Sequence, residues 1–322
     1  MRPAFRIVAD SVNITPVLAD RLVSLDYTDK AGVKSDTLTI VLDDRDQRLA
    51  LPPTGATIEL SIGYEKGPLA RMGTFVVDEV EVSGPGRLLT ISANAADMTG
   101  GIKAPKERSF HDITLGDLVK VVAGDNKLTP SVASELASIA LGHVDQTESD
   151  MQLLTRICAE RDAVCKVSDG RLVVAKHASG ETTTGKKLPL VTVQSDQVGS
   201  WRVSFTDRGK YKSVEANWQD KGAAQRKKAT AGSGSPALTL KQTYATEDEA
   251  KAAAQSKFKS LGRGTAKLSI SGIPGNVDLA AERELLLVAF RAGVDGGNWI
   301  ATSVTHSITD GGYTCSVEAE RK

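Results

Sequence analysis

A stretch near the middle of the chain changes its hydrophobic period from that of a helix to that of a strand. At its start, Ser149 and Gln152 have the spacing of a capping box, in which two side chains satisfy each other's free backbone groups. Behind this box the apolar residues recur at helical spacing, as Met151, Leu154, Ile157 and Cys158, with Leu153 at the margin. The sequence therefore predicts a short amphipathic helix that begins at Ser149.

A β-hairpin is predicted directly after this helix. Residues 164–167 and 172–174 are two short apolar runs rich in β-branched side chains. Asp169 and Gly170 lie between the runs, and this dipeptide is a strong signal of a tight hairpin turn. The centre of the chain is thus expected to be a helix that leads into a hairpin.

Residues 1–104 have the pattern of β-structure. Polar and apolar residues alternate over residues 36–42 and again over residues 57–62, and a further strand is indicated around residues 5–8. Glycines separate these segments at turn positions. Several short strands at such spacing favour a sandwich or a barrel, so residues 1–104 are predicted to form a first β-barrel-like domain.

Residues 105–185 are predicted to form a small α+β insertion domain of helices and the central hairpin. Thr114 and Asp117 can cap a helix that ends at Gly124. The apolar face of this helix would consist of Leu115, Leu118, Val119 and Val122. Between residues 131 and 141 the pattern does not distinguish a helix from a strand, and both alternatives stay open.

Residues 186–322 return to alternation and are predicted to form a second β-barrel-like domain. Acidic residues at its start, alanines in its body and lysines near its end predict one helix near residues 246–261. Strands are expected around residues 191–193, 201–205, 211–218, 268–270, 284–290, 299–304 and 313–319.

The segment 220–236 interrupts these strands with a polar, basic, glycine- and serine-rich composition. Such a composition is typical of a flexible loop. Arg226, Lys227 and Lys228 lie within it. They could contact an anionic partner or belong to a solvated, mobile loop, and both interpretations stay open.

Two distant hairpins have similar sequences. Laying residues 73–95 over residues 297–319 without gaps pairs identical residues at six positions: Gly73 with Gly297, Val80 with Val304, Ser83 with Ser307, Thr90 with Thr314, Ser92 with Ser316 and Ala95 with Ala319. Common hairpin residues also produce such matches by chance, so duplication and coincidence both stay open.

The charge balance narrows the possible partners. Forty basic and forty acidic residues leave the chain of 322 residues without net charge. No global field attracts nucleic acid or an anionic lipid surface, so neither nucleic-acid binding nor membrane association is predicted. The N-terminus lacks the apolar run of a signal peptide and the run 285–290 is too short to span a bilayer, so synthesis in the cytoplasm is expected.

The sequence contains no recognisable catalytic or metal-binding motif. The four histidines lack the spacing of metal ligands and are interpreted as structural or surface residues: His111, His143, His177 and His306. The three cysteines are interpreted as buried, reduced thiols: Cys158, Cys165 and Cys315. An acidic cluster is interpreted as a solvated strand end rather than a cation loop: Asp43, Asp44 and Asp46. No catalytic residue, metal site or cofactor is predicted, and the protein is not expected to be an enzyme.

Several segments together resemble the phage late control D family. Near the start they are PAFRIVADSVNIT, SDTLTIVLDD and GATIELSIGYEKGPLARMGTFVVDEVEVSGPGRLLTISANAADMTGGIK, and in the centre they are His143, Gln146 and the triplet Glu148-Ser149-Asp150. Near the end they are GIPGN, Trp299, Thr305-His306 and Gly312-Tyr313-Thr314. Their order and spacing carry the resemblance, which covers essentially the whole chain.

Members of this family are tail hubs of contractile phages and of phage-tail-like bacteriocins, or tailocins, and they are similar to the first part of type VI secretion spike proteins. The resemblance implies a structural baseplate hub in a virion or tailocin particle. It implies a homotrimeric ring whose two β-barrel-like domains per chain form a pseudo-six-fold annulus, which joins the six-fold tail tube to the three-fold central spike.

The resemblance also implies the partners and leaves alternatives. The central spike protein and the tail tube or tube-initiator proteins are the expected partners, with tape-measure and baseplate wedge proteins as further candidates. Two other classes of function stay open, namely a baseplate-associated cell-wall hydrolase and a glycan-binding β-module. Sugar platforms need exposed aromatic residues, and the chain has three tryptophans: Trp201, Trp218 and Trp299.

Overall fold

The computed structural model describes residues 1–32, 35–95, 101–168, 170–206, 211–220, 222–263 and 265–322. Strands dominate these residues and five helices accompany them, which confirms the predicted α+β, mainly β class. The largest unit is a sheet of thirteen strands, to which both the beginning and the end of the chain contribute.

The beginning of the chain supplies seven strands to this sheet. In order, the elements are β1 (Pro3–Ala9), β2 (Val12–Asn13), the short helix α1 (Thr15–Leu18), β3 (Leu22–Lys30), β4 (Thr37–Asp43), β5 (Thr57–Tyr64), β6 (Ala70–Ser83) and β7 (Leu88–Ala95). The predicted strands at residues 5–8, 36–42 and 57–62 are confirmed as β1, β4 and β5.

The middle of the chain forms a separate α+β unit. Its elements are a 3-10 turn (Gly101–Lys103), β8 (Arg108–Thr114), α2 (Leu115–Asp125), β9 (Thr129–Val132), α3 (Ser134–Ala137), β10 (Ala140–Gln146), α4 (Asp150–Ala159), β11 (Ala163–Ser168) and β12 (Arg171–Lys176). Residues 131–141 contain the end of a strand, a helix of one turn and the start of another strand, so each alternative fits part of the segment.

The end of the chain supplies the remaining elements. They are β13 (Val191–Gln194), a 3-10 turn (Ser195–Gln197), β14 (Ser200–Phe205), β15 (Ser213–Asp220), β16 (Gln225–Gly232), β17 (Ala237–Tyr244), α5 (Glu247–Arg263), β18 (Ala266–Pro274), β19 (Glu284–Val288), β20 (Gly296–Thr309) and β21 (Gly312–Arg321). The helix predicted near 246–261 is confirmed as α5, which continues through Gly262.

The two ends of the chain form one sheet because β3 pairs with β20. The strand order is β14-β18-β21-β20-β3-β4-β7-β6-β5-β1-β2, with β19 attached to β20 and β13 to β19. At the β3–β20 pairing, which we call the seam, Leu25 lies opposite Ile308 and Asp29 opposite Val304. Large buried side chains from both ends, including Phe75 and Trp299, belong to one hydrophobic core. The boundaries of two separate β-domains within this arrangement stay a prediction.

The central unit has its own core, and its local structure follows the sequence closely. Helix α4 begins with the predicted capping box, in which both reciprocal bonds between Ser149 and Gln152 are present. Leu153, which was expected at the margin of the apolar face, is fully buried. Thr114 caps α2, and its side chain accepts a hydrogen bond from the backbone N–H of Asp117. The predicted hairpin forms from β11 and β12, while Asp169 of its turn lies outside the described residues.

The prediction of a flexible loop over residues 220–236 is wrong. Residues 225–232 of this segment form strand β16, which pairs with β15 in the three-stranded sheet β16-β15-β17, while Lys221 lies outside the described residues. The small apolar residues Ala229 and Ala231 are buried in a core shared with α5. Alanine carries too weak a hydrophobic signal to mark a strand in so polar a stretch, which explains the error.

Two of the basic residues of β16, Lys227 and Lys228, are paired within the hairpin. The Lys227 ammonium lies 2.6 Å from a carboxylate oxygen of Asp220, and the Lys228 ammonium lies 2.7 Å from one of Glu215. Exposed ion pairs of this kind contribute about 1 kcal/mol or less each, so they orient the side chains more than they stabilise the fold.

The two hairpins with similar sequences are also alike in structure. Strands β6 and β20 have fourteen residues each and lead into β7 and β21. The pairing of β6 with β7 shifts register between Val77 and Glu79, and that of β20 with β21 shifts between Ala301 and Ser303. The overlay that aligns Gly73 with Gly297 also aligns these two irregularities, which supports duplication over coincidence.

A half-buried lysine joins the central unit to the seam. Lys166 of β11 donates to carboxylates of Asp29 on β3 and of Asp36 just before β4, the latter at 2.9 Å. The second carboxylate oxygen of Asp29 accepts the backbone N–H of Ala281 at 2.8 Å. Burial and the nearby Asp29 carboxylate raise the pKa of Asp36 to about 6, against the attraction of Lys166. Three distant parts of the chain therefore meet at Asp29.

We expect Lys166→Met to destabilise the protein by about 3 kcal/mol or more, because two carboxylates would remain buried without their cation. Lys176→Met is the matched control: Lys176 lies on the adjacent strand β12, pairs with Glu135 and has 44 % of its side chain exposed. Loss of the Lys176–Glu135 ion pair should lower the free energy of unfolding by about 1 kcal/mol or less. Urea unfolding of both variants measures the difference, and equal losses would show that the Lys166 cluster does not hold the central unit in place.

Candidate interaction surfaces

The face of the large sheet that points away from its core carries mainly short hydroxyl side chains. Cross-strand partners share a face, so the register places these residues side by side over five neighbouring strands. We call this surface the hydroxyl face. Its serines and threonines are Ser316 and Thr314 on β21, Ser303, Thr305, Ser307 and Thr309 on β20, Ser24 and Thr28 on β3, Thr37 and Thr39 on β4, and Thr90 and Ser92 on β7.

The hydroxyl face carries few bulky groups. Its rows also contain Asp26, Val41, Asn94 and Gly312, and the charged residues Lys30 and Glu318 flank Ser303. The Thr28 and Thr305 hydroxyls lie 3.0 Å apart across the seam. Most members are half-buried by their neighbours, so the surface offers mainly hydroxyls, with Lys30 and Glu318 as its long charged side chains.

The sheet ends at β14, and the core side of this strand is poorly covered. Trp201, Val203 and Phe205 lie opposite core residues of β18, so they point to the core side. Nevertheless, 37 % of Trp201 and 61 % of Phe205 are exposed, which differs from the half-buried strand expected from the sequence. Trp201 packs edge-on against Phe290.

The backbone of β14 also has an unused side among the described residues. The Thr206 N–H donates to the Thr265 carbonyl, which sets the phase of the antiparallel ladder with β18. Backbone groups alternate in such a ladder, so those of Trp201, Val203 and Phe205 point away from β18. An open edge beside exposed apolar side chains is a site for pairing with another strand.

The opposite end of the sheet is β1, which is partly covered by β2. The Thr15 side chain accepts the N–H of Ile7, and the Ile7 carbonyl accepts the N–H of Ile14. Among the described residues, the part of β1 before Ile7 has no strand on its outer side. Val12 and Val17 are exposed next to this edge. The described part of the chain therefore leaves one sheet edge open at each end.

The central motif of the family resemblance builds a buried ion cluster. The Asp150 carboxylate accepts hydrogen bonds from Lys106 at 2.6 Å, Arg108 at 2.7 Å and Gln146 at 2.9 Å. Burial alone would raise the pKa of Asp150, but the bonds from Gln146, Lys106 and Asn126 outweigh it and hold the pKa below its usual value. These residues fix the start of α4 against β8 and β10.

The C-terminal motif forms a second buried cluster. The Leu279 carbonyl can only accept, so His306 donates from Nε2 at 3.1 Å and its Nδ1 accepts the Tyr313 hydroxyl at 2.7 Å. Burial lowers the pKa of His306, which keeps the imidazole neutral. A side chain on Gly275 would lie 2.1 Å from the Tyr313 ring, which explains the glycine in the GIPGN segment.

The remaining candidates from the sequence are dispersed. Cys158, Cys165 and Cys315 are buried free thiols, as interpreted. Asp46 is paired with Arg21 at 2.7 Å, whereas Asp44 is buried and accepts the N–H of Leu49, so the solvated interpretation is wrong for Asp44. Among the described residues there is no group of three or more histidine, cysteine or acidic side chains that could hold a metal ion. No described helix is long and apolar enough to cross a membrane.

The model of the phage tail baseplate hub (GPD) family matches residues 35–312. The chain belongs to the phage tail baseplate hub family. It is 34 % identical to the probable baseplate hub protein of Escherichia phage 186, over all of this chain and 94 % of that protein. The resemblance inferred from the sequence is confirmed, and the protein is a structural component of a phage-type tail baseplate.

Solved structures show the same fold at lower identity. The tail protein of Neisseria meningitidis MC58 superimposes with a TM-score of 0.75 at 14 % identity, over 100 % of this hub and 97 % of that chain. The c3393 protein of E. coli, a type VI secretion component described as similar to the T4 tail proteins gp27 and gp5, superimposes with a TM-score of 0.60 at 11 % identity. The superposition includes 94 % of this hub and 74 % of the c3393 chain.

The motif residues were identified from the sequence, whereas the hydroxyl face and the open edge at β14 were not. The hydroxyl face has a signal in the sequence, since TLTIVL, LTIS and SVTHSIT alternate hydroxyl and apolar residues, but only the apolar residues of that pattern predict a buried face. The open edge at β14 has no local signal because it depends on which strands pair. The motif residues Gln146, Asp150, His306 and Tyr313 are buried or nearly so and hold loops in place.

A third ionic cluster lies where the central unit meets β21. His177 Nδ1 lies 3.1 Å from Glu282 and its Nε2 lies 3.2 Å from Glu320, while Arg263 pairs with Asp162. Burial alone would lower the pKa of His177, but the hydrogen bonds to Glu282 and Glu320 outweigh it and raise the pKa to about 9. The imidazolium therefore persists at neutral pH.

We expect the stability contributed by His177 to be fully present below pH 6.5 and to disappear as the pH rises through about 9, because the folded pKa lies above the unfolded one. The free energy of unfolding of the wild type should exceed that of His177→Gln by on the order of 2 kcal/mol at pH 6, and by much less at pH 10. Urea unfolding at fixed protein concentration tests this. A difference independent of pH would show that the ring is not a charged partner of the two glutamates.

Proposed function

We propose that this hub assembles as a homotrimeric ring in which the open edge β14 of one chain pairs with the open edge β1 of the next. The two free ends of the thirteen-stranded sheet are the observation that carries the proposal. Edge-to-edge contact of unlike edges is heterologous, and it produces a closed ring when the rotation returns to the start. Closure removes every exposed edge, which otherwise invites aggregation.

The repeated hairpin supports a role as a symmetry adapter. Each chain presents two similar long hairpins, β6–β7 and β20–β21, with the same irregularity in their first strands. Three chains then present six similar hairpins around one axis. Such a ring offers six similar contacts to the six-fold tail tube or its initiator proteins and three identical contacts to the three-fold central spike.

We propose that the hydroxyl face lines the central channel. Its side chains are short and mostly uncharged, so they neither obstruct nor bind strongly a polymer that passes through. The uncovered aromatic residues of β14 lie on the opposite, core side of the sheet, where the neighbouring chain covers them. In this arrangement the core side is closed by assembly and the hydroxyl side stays open to solvent.

The proposed work of the hub is mechanical. It transmits the trigger for contraction through rigid contacts, in a phage or a tailocin particle, without a chemical step of its own. The ion cluster at Asp29 supports this role because it ties the central unit to the sheet, and the cluster at Asp150 supports it because it fixes helix α4 within the central unit. Tape-measure and baseplate wedge proteins are further proposed neighbours.

We expect Val203→Pro to abolish trimer formation while leaving the folded chain intact. The N–H of Val203 points away from β18, so proline removes a donor from the open edge and none from the ladder within the chain. Val203→Ala retains the N–H and is the matched control, which should assemble like wild type. Native mass spectrometry, alone and with the spike protein of the same particle, measures assembly. A trimer that persists in Val203→Pro would rule out pairing through β14.

We expect a cysteine at Thr39 to be shielded inside assembled particles. The native cysteines are buried, so Thr39→Cys and the exposed control Glu107→Cys can each be labelled with biotin-maleimide. Streptavidin is too large for a narrow channel, so it should bind the Glu107 label in intact particles and the Thr39 label only after dissociation. Streptavidin bound to the Thr39 label in intact particles would place the hydroxyl face outside.

A further inference from the structure

We propose that His111 and His143 form a bidentate binding site for a divalent transition-metal ion such as Zn²⁺ or Ni²⁺. The two residues are direct cross-strand partners on β8 and β10. Their Nδ1 atoms lie 3.0 Å apart and their ring centres 4.5 Å apart. This proposal concerns the surface of the central unit and does not depend on the proposed ring.

The separation of the two nitrogens suits chelation of a single ion. Imidazole nitrogens bind Zn²⁺ at about 2.0 Å, which places two ligands of one tetrahedral ion about 3.3 Å apart and two adjacent square-planar ligands about 2.8 Å apart. The observed 3.0 Å lies between these values. Both side chains are exposed, so small side-chain rotations can turn the two lone pairs toward a common point.

Hydrogen bonds already set one ring in the form that a metal needs. Asp145 accepts from Nε2 of His143 at 3.0 Å, and the Ser109 hydroxyl donates to the same carboxylate at 2.6 Å. The Nε2 proton leaves the Nδ1 of His143 unprotonated, with its lone pair toward His111. A carboxylate behind a ligating imidazole is the usual second partner in protein metal sites, where it fixes the tautomer and orients the ring.

Metal binding requires one rearrangement, in His111. The unprotonated Nδ1 of His143 accepts a proton, so the Nδ1 of His111 is the donor in the 3.0 Å contact. On binding, this proton moves through solvent to the exposed Nε2 of the same ring, which stays neutral. The ion then gains two imidazole ligands, and water fills its other positions.

The site is distinct from the clusters that stabilise the fold. The ion clusters at Asp150 and at His177 are saturated by internal partners, whereas 52 % of the His143 side chain and 64 % of the Asp145 side chain are exposed. Two exposed imidazoles form an accessible site of modest affinity. The third and fourth ligand positions stay open to water or to a side chain of a neighbouring protein.

Isothermal titration of untagged, EDTA-treated protein with ZnCl₂ or NiCl₂ tests the proposal, with MgCl₂ as the control salt. We expect one ion per chain and no binding of Mg²⁺, which prefers oxygen ligands. His111→Gln and His143→Gln should each abolish binding. Asp145→Asn, which acts through His143, should weaken it about ten- to a hundredfold.

Glu107→Gln is the matched control, since Glu107 is an exposed acid beside β8 whose loss should leave the affinity unchanged. Circular dichroism of each variant verifies that it is folded. Absence of saturable Zn²⁺ or Ni²⁺ binding, or binding that survives His143→Gln in folded protein, would overturn the assignment.

Discussion

The pairing of β3 with β20 is the constraint on which the rest of this hub depends. It brings residues 24–30 into register with residues 303–309, so the two ends of the chain must come together at the entropic cost of closing a very long loop. Asp29 lies on this seam and binds both Lys166 of the central unit and the backbone of Ala281. A single buried carboxylate thereby ties the sheet, the central unit and the segment before β19 together.

One continuous sheet has consequences that two separate β-domains would not have. Both ends of the chain contribute side chains to the same core, so neither set of strands in the sheet forms a core of its own. The open edges of the sheet lie at β14 and β1 and not at the seam. Its outer side becomes a broad surface of serines and threonines. In the proposed ring, the same geometry that completes the core of one chain would leave its two edges free for contacts with the next.

The sequence predicted elements wherever the determining interactions are local. The capping box at Ser149, the Thr114 cap and the acid-to-base gradient along α5 involve residues a few positions apart, and each marks a helix in the structure. Strand β16 escaped prediction because its inward residues are alanines, whose burial is fixed by α5 and not by their own hydrophobicity. The seam and the His111–His143 contact join residues distant in sequence, and the open edges depend on the order of strands in the sheet. No local sequence pattern predicts any of them.

The central and C-terminal motifs that carry the family resemblance contribute residues to two buried clusters with specific partners. Gln146 and Asp150 are buried polar residues whose partners are fully specified, and replacing one member leaves the others unpaired at a cost of several kcal/mol. His306, Tyr313 and Gly275 form a second set. His306 binds the Tyr313 hydroxyl, and the Tyr313 ring lies where only a glycine fits at position 275. Surface residues such as those of the hydroxyl face need only be short and polar. The clustered residues that carry the family resemblance are therefore constrained by their partners within the fold more strongly than the surface residues are.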